Sequence, residues 1–235
     1  MKTVTIPPTR IVQILIGIEL LLIIASIAGQ FSVFIIDHPR SLGLPPMFYL
    51  EDEYNIPTYF SSFLLGMAAF LLGLIAFSEE KGEDHFRRHW IFLAALFLFF
   101  SIDEAICLHE RLNMAIRNIF GWKELVGWRK FFFSTWIVPG TIFSIILVLN
   151  NFRFFLQLPK RTKHLFFLAA LICFSGVIGI ELITILYRNT FGPLNFNYTM
   201  IVTVEETLEM SGVILFIYAL LDTINQKGLT IQFKK

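Results

Sequence analysis

The sequence predicts an all-α, polytopic membrane bundle of about six transmembrane helices, with the N- and C-termini cytoplasmic. Three observations carry that prediction. The 235 residues are 56% apolar and only 16% charged, whereas a soluble domain of this length carries more charge and shorter apolar runs. Six apolar stretches are long enough to cross a hydrocarbon core of about 30 Å at about 1.5 Å per residue. Acidic residues embedded in three of those stretches recur at one depth, which random placement would not produce.

The first span covers residues 11–36. Lys2 and Arg10 precede it, and Ser26-Ile27-Ala28 loosely resembles a signal-peptidase site. The apolar run continues past that point and contains Glu19, so it reads as an uncleaved anchor. Glu19 lies alone in the inner half of this span, either bonded to a neighbouring helix or on a proton path.

The second span, 56–77, has no charged residue. Asn55 is its expected cap, with Pro57 in the first turn. The third, 90–110, ends in the acid-rich stretch 101–110. An interfacial or re-entrant segment is expected near 113–130, where Trp122 and Trp128 stand among basic residues suited to the headgroup region.

The fourth span, 131–149, is uncharged and contains Pro139-Gly140, an expected kink. In the fifth, 165–187, Gly176 and Gly179 form a small-residue face for close packing. The sixth covers 198–221. No repeat or linker divides the chain, so 1–235 reads as a single transmembrane domain.

Basic residues set the orientation. With the N-terminus inside, the cytoplasmic segments hold 12 Lys and Arg and the opposite side 7. The acids then fall in the outer third of the bilayer: Asp103 and Glu104 in span three, Glu181 in span five, and Glu205, Glu206 and Glu209 in span six. Asp103, Cys107 and Glu110 are spaced i, i+4, i+7 and are expected to share a helix face flanked by Glu104 and His109. Glu205 and Glu209 stack at i, i+4.

Such groups must face protein or trapped water, and they cannot all stay ionised at close range. A divalent metal held by Asp103, His109, Glu110, Glu181, Glu205 and Glu209 is the sharper expectation, with Glu206 and Glu104 left for general base or acid chemistry. Oxygen-rich ligation with one His favours iron or manganese, with calcium or zinc also possible. Proton sharing among the acids, or ion pairing with Arg111, Arg117 or Arg188, would also neutralise them. Glu51, Asp52 and Glu53 lie on the same side, as a solvated loop or a cation-attracting vestibule.

Three stretches together resemble a set of uncharacterised bacterial multi-pass membrane proteins: Glu51-Asp-Glu-Tyr-Asn-Ile-Pro-Thr-Tyr-Phe-Ser-Ser62, Ser101-Ile-Asp-Glu-Ala-Ile-Cys-Leu-His-Glu110 and Val204-Glu-Glu-Thr-Leu-Glu-Met210. The resemblance covers most of the chain and implies a multi-pass protein of the bacterial inner membrane. It implies no activity. Alkaline ceramidase-like proteins use a three-histidine zinc site, whereas the predicted spans contain only His109. Ferritin-like Glu-x-x-His pairs, desaturase histidines and an intramembrane retinal-type lysine have no counterpart either.

Three functions fit these residues. The first is a membrane-embedded metal-dependent hydrolase or oxidoreductase acting on a lipid-like substrate. The second is a cation or proton transporter using the same acids, and the third an assembly protein with ion-paired acids. Beyond the lipid bilayer, the expected partner is that substrate or a cation. A net charge of +1 gives no reason to expect nucleic acid. Cys107 and Cys173 lie in apolar segments and suggest neither a disulfide framework nor a zinc ribbon.

Overall fold

The structure, a computed structural model, describes residues 7–38, 43–78, 85–108, 111–112, 118–119 and 137–228. Seven helices account for most of them: α1 (Pro8–Phe34), α2 (Leu44–Phe48), α3 (Ile56–Ser78), α4 (His85–Ile106), α5 (Ile137–Gln157), α6 (Lys160–Phe191) and α7 (Phe196–Gln226). Among the described residues there is no strand. All but α2 include a segment long and apolar enough to cross a membrane. The chain is therefore an all-α, polytopic membrane bundle.

Several helices overrun the expected spans. Helix α5 reaches Gln157, and α6 begins at Lys160 after only Leu158 and Pro159. Arg153, Lys160, Arg161 and Lys163 thus lie on helices, although they fall between the fourth and fifth expected spans. A hydropathy boundary marks the edge of the hydrocarbon, but a helix can continue beyond it into the wet headgroup layer. Pro139 lies on α5, and the residues before Ile137 are outside the described ones. The expected interfacial segment near 113–130 lies outside the described residues except for 118–119.

Helix α7 is the hub. It packs against α1, α3 and α6, while α4 pairs with α3. Two reciprocal bonds pin α4 to α3: Ser62 Oγ donates to the Ser101 carbonyl (2.7 Å) and Ser101 Oγ to that of Ser62 (2.8 Å). Hydroxyls serve as interhelical glue where lipid provides no hydrophobic drive between helices.

The α6–α7 contact is closer still. A Cβ at Gly212 would come within 2.6–2.8 Å of Cys173, backbone included, and one at Gly176 would lie 2.8 Å from the Glu205 carbonyl oxygen. Gly176 therefore serves the packing role expected of it. Gly179 does not, since a Cβ there would meet nothing within 4 Å. Between them the backbone widens into a π-turn, Ser175–Ile180, just before Glu181. A π-turn rotates everything after it relative to an ideal α-helix, and such turns often sit at functional positions.

Glu51 and Asp222 mark opposite ends of the bundle. Toward the Asp222 end the interior is apolar. Leu72 and Ile75 of α3 and Ile214, Ile217 and Leu220 of α7 share one core, all fully or almost fully buried. Trp90 sits edge-on to Phe154 at 4.9 Å. Arg161 closes this end on Asp222 through Nε (2.8 Å) and Nη2 (3.0 Å). With Arg161 63% exposed, that pair contributes at most about 1 kcal/mol. Toward the Glu51 end buried polar groups join the apolar ones, among them Gln30, Thr199, Thr203 and Glu205.

Gly212→Ala is expected to destabilise the detergent-solubilised protein by about 1–3 kcal/mol through overpacking against Cys173. Gly179→Ala should leave the unfolding midpoint unchanged or raise it. Denaturant titration of both variants checks the assignment of the tight contact.

Candidate carboxylate site

The site begins in the loop before α3. Asn55 caps that helix as the sequence predicts: its Oδ1 accepts from the Thr58 N–H (3.1 Å), while its Nδ2 donates to the Tyr49 carbonyl (2.6 Å). Thr58 Oγ1 donates to the Asp52 carbonyl (3.1 Å), folding the acidic run back on the helix start. Glu51 then accepts from two phenols, those of Tyr49 and Tyr198.

Tyr198 is almost wholly buried in the first turn of α7. Asn195 caps that helix by accepting from the Tyr198 N–H (3.0 Å), and Tyr187 donates to the same Oδ1 (3.1 Å). The run at 51–53 is thus tied into the bundle. With Gln30, Tyr49 and Tyr198 it lines a cavity of about 460 Å³. Burial, and then the charge of Glu51, push the Asp52 carboxyl above its ordinary range. Burial and the bond to Glu51 likewise push the Tyr49 hydroxyl up, so it stays a donor.

Two helical turns below Tyr198 the glutamates of α7 begin. Glu205 is buried, 8% exposed, and its Oε2 accepts from the Thr184 hydroxyl of α6. It is also in hydrogen-bonding contact with Glu181, the residue the π-turn delivers. A carboxyl–carboxyl contact needs a proton or a cation between the oxygens. The charges of Glu209, Glu104, Glu51 and Glu181 all act on Glu206. Those of Glu205, Glu104 and Glu181 act on Glu209. The Glu209 Cγ lies 2.9 Å from where a Gly176 Cβ would be, so the absent side chain makes room for this carboxyl.

Five of the expected residues thus act on one another electrostatically, Glu104, Glu181, Glu205, Glu206 and Glu209, with Glu181 and Glu205 in contact. Asp103 is half-buried and makes contacts of its own. His109 and Glu110 lie outside the described residues. The expected continuous face Asp103–Cys107–Glu110 needs correction, because α4 ends at Ile106 and Cys107 takes a left-handed conformation (φ 53°). Tyr54 donates to the Ile106 carbonyl (3.1 Å) and accepts from Arg111 Nη2 (2.7 Å), capping that end. Arg111 thus contacts Tyr54, and Arg188 contacts Tyr198. Among the described residues no three His, Cys, Asp or Glu side chains form a group that could hold a metal ion.

The family model for domain of unknown function DUF8692 matches residues 15–224. The chain belongs to that family. Its membership agrees with the resemblance to an uncharacterised family, and the matched region includes every acid of the cluster. No curated protein and no solved structure matches the chain.

The sequence reading missed Thr184, Tyr198 and the reach of Glu51. Two of these left a signal: Thr184 is one turn beyond Glu181, and Tyr198 two turns before Glu205. Of the two expectations for Glu19, the bond to a neighbouring helix is present. Glu19 sits near the middle of α1 and accepts from Ser211 Oγ of α7 (2.7 Å).

Asp52, with its carboxyl pushed up in the folded state, opposes folding once pH exceeds its unfolded value near 3.8. Asp52→Asn is therefore expected to raise the melting temperature at pH 7, and the gain should vanish below the ordinary carboxylate range. Thermal unfolding across pH reads this directly.

Proposed function

We propose that the carboxylate cluster holds a divalent cation and that the protein is a membrane-embedded metalloenzyme acting on a lipid-like substrate. Convergence carries this reading: Glu104 of α4, Glu181 of α6, and Glu205, Glu206 and Glu209 of α7 lie within mutual electrostatic reach inside the bundle. Like charges gathered there need a counter-charge or protons. Asp103, His109 and Glu110 complete the proposed ligand set with Glu181, Glu205 and Glu209. A mostly oxygen set with one imidazole suits iron or manganese better than zinc. Glu206 and Glu104 remain for proton transfer to and from a metal-bound water.

The basic-residue bias supports an orientation with the Glu51 end outward, and the membrane we propose is a bacterial inner membrane. The cavity beside Glu51 then opens the site outward, and Glu51 itself acts on Glu206. One observation favours the second reading, cation or proton transport: the bond between Glu19 and Ser211 carries polar groups to the middle of the bundle.

Metal analysis of protein purified in mild detergent tests the proposal. Stoichiometric iron or manganese in the wild type, lost by about tenfold or more in affinity in Glu209→Gln or Glu205→Gln, is the expected outcome. These substitutions keep side-chain volume and spare the packing at Gly176. Metal-free protein that drives cation flux into proteoliposomes would replace the enzyme reading with transport.

A further inference from the structure

A second polar feature runs beside the carboxylate cluster, between α1 and α7. Glu19, Ser26 and Gln30 are spaced seven and four residues apart, which returns all three to one face of α1. All three are buried, at 4%, 0% and 5% exposure. Both ends of that face meet α7: Glu19 bonds to Ser211, and Gln30 lines the outer cavity with Tyr198 and Thr199. Ser26 therefore lies along the seam between them.

Helix α7 answers with hydroxyls one turn apart, at Thr199, Thr203, Thr207 and Ser211. Thr203 donates to the Thr199 carbonyl (2.7 Å) and Thr207 to that of Thr203 (2.6 Å). Such back-bonding is a common way for a membrane helix to settle a hydroxyl, and by itself it implies nothing more. Ser26 is different. Its hydroxyl is wholly buried and makes no hydrogen bond to any group of the protein; among the described residues it is the one buried side-chain polar atom left so. A buried polar group without a partner is costly, and a mobile water is the usual remedy where the surroundings are polar.

We propose that this seam carries protons, through its hydroxyls and the water it admits, from the cavity at the Glu51 end to Glu19, which binds them. Each hop passes one proton onto an oxygen lone pair and releases another from the same oxygen. No electron moves, and no co-reactant is consumed. Of the groups facing Glu19, Ser211 of α7 supplies the bond. The other helix against α1 is α2, Leu-Pro-Pro-Met-Phe, which has no titratable side chain. One carboxyl and one hydroxyl make too few ligands for a metal ion, and a proton is the cation they suit. The inference stands whether or not a metal occupies the neighbouring cluster.

Infrared difference spectroscopy of the full chain in lipid nanodiscs tests it, with rapid transfer from H2O to D2O. Glu19 should contribute a protonated-carboxyl band that disappears in Glu19→Gln, a variant that can still accept from Ser211. In the wild type that band should shift promptly to its deuterated position. Ser26→Val and Thr203→Val should slow the shift by about tenfold, the scale of losing one hydrogen-bonded step. Thr162→Val, at the Asp222 end, should not slow it. A band that never exchanges would make Glu19 a sealed structural group and overturn the proposal. So would exchange at the wild-type rate in both Ser26→Val and Thr203→Val, or equal slowing by Thr162→Val. Absence of any Glu19-dependent band would refute it as well.

Discussion

Everything in this bundle answers to one constraint: a carboxyl inside hydrocarbon must be met by other protein groups, because lipid offers it nothing. Helix α7 brings three glutamates below the membrane surface within five residues, and no single partner helix could satisfy them all. Three helices pack on it instead, and two of them contribute polar groups in return. From α6 come Thr184 and Glu181, and from α1 comes Glu19. The hub position of α7 follows from its acids as much as from its apolar length.

Close approach is what makes those contacts possible. Gly212 lets the Cys173 backbone rest against α7, and Gly176 gives its side-chain volume to Glu209. The π-turn between Ser175 and Ile180 then turns the remainder of α6 so that Glu181 and Thr184 both reach Glu205. The same helix uses an ordinary α-helical face at its other end, where Thr162 meets Thr223 at 3.3 Å. A regular helix would have to choose between these two alignments. One widened turn serves both, at the cost of poorer hydrogen bonds where it occurs.

Long apolar runs are strong local signals, so the six crossing helices and the Asn55 cap were legible in the chain itself. So was the gathering of Glu181, Glu205, Glu206 and Glu209 at one depth, since depth depends only on residue count along a helix. Direction around a helix was less secure. An i, i+4, i+7 face requires α4 to continue to Glu110, but a left-handed Cys107 ends it at Ile106. A bulky or β-branched residue would resist that conformation more than Cys does, yet nothing local announces it. Tyr54 supplies the reason from 52 positions away by bonding to the freed carbonyl. The π-turn was equally silent, because its residues, Ser-Gly-Val-Ile-Gly-Ile, satisfy an ordinary membrane helix just as well.

The division of the interior bears on how the acids can be used. Polar groups line the half toward Glu51 and reach the middle at Glu19 and Ser211. Beyond them lie Leu72, Ile75, Ile214, Ile217 and Leu220, close-packed and almost wholly out of solvent. A conducting path needs polar sites in both halves of the membrane, or a rearrangement large enough to expose them. Opening that layer would expose five large side chains, each costing about 1.5–3 kcal/mol if fully wetted. Past it Asp222 is held by Arg161 and Gln226 and offers no open carboxylate. A site open at one end and sealed by such a layer suits chemistry carried out in place, with ions and protons entering and leaving by the same side.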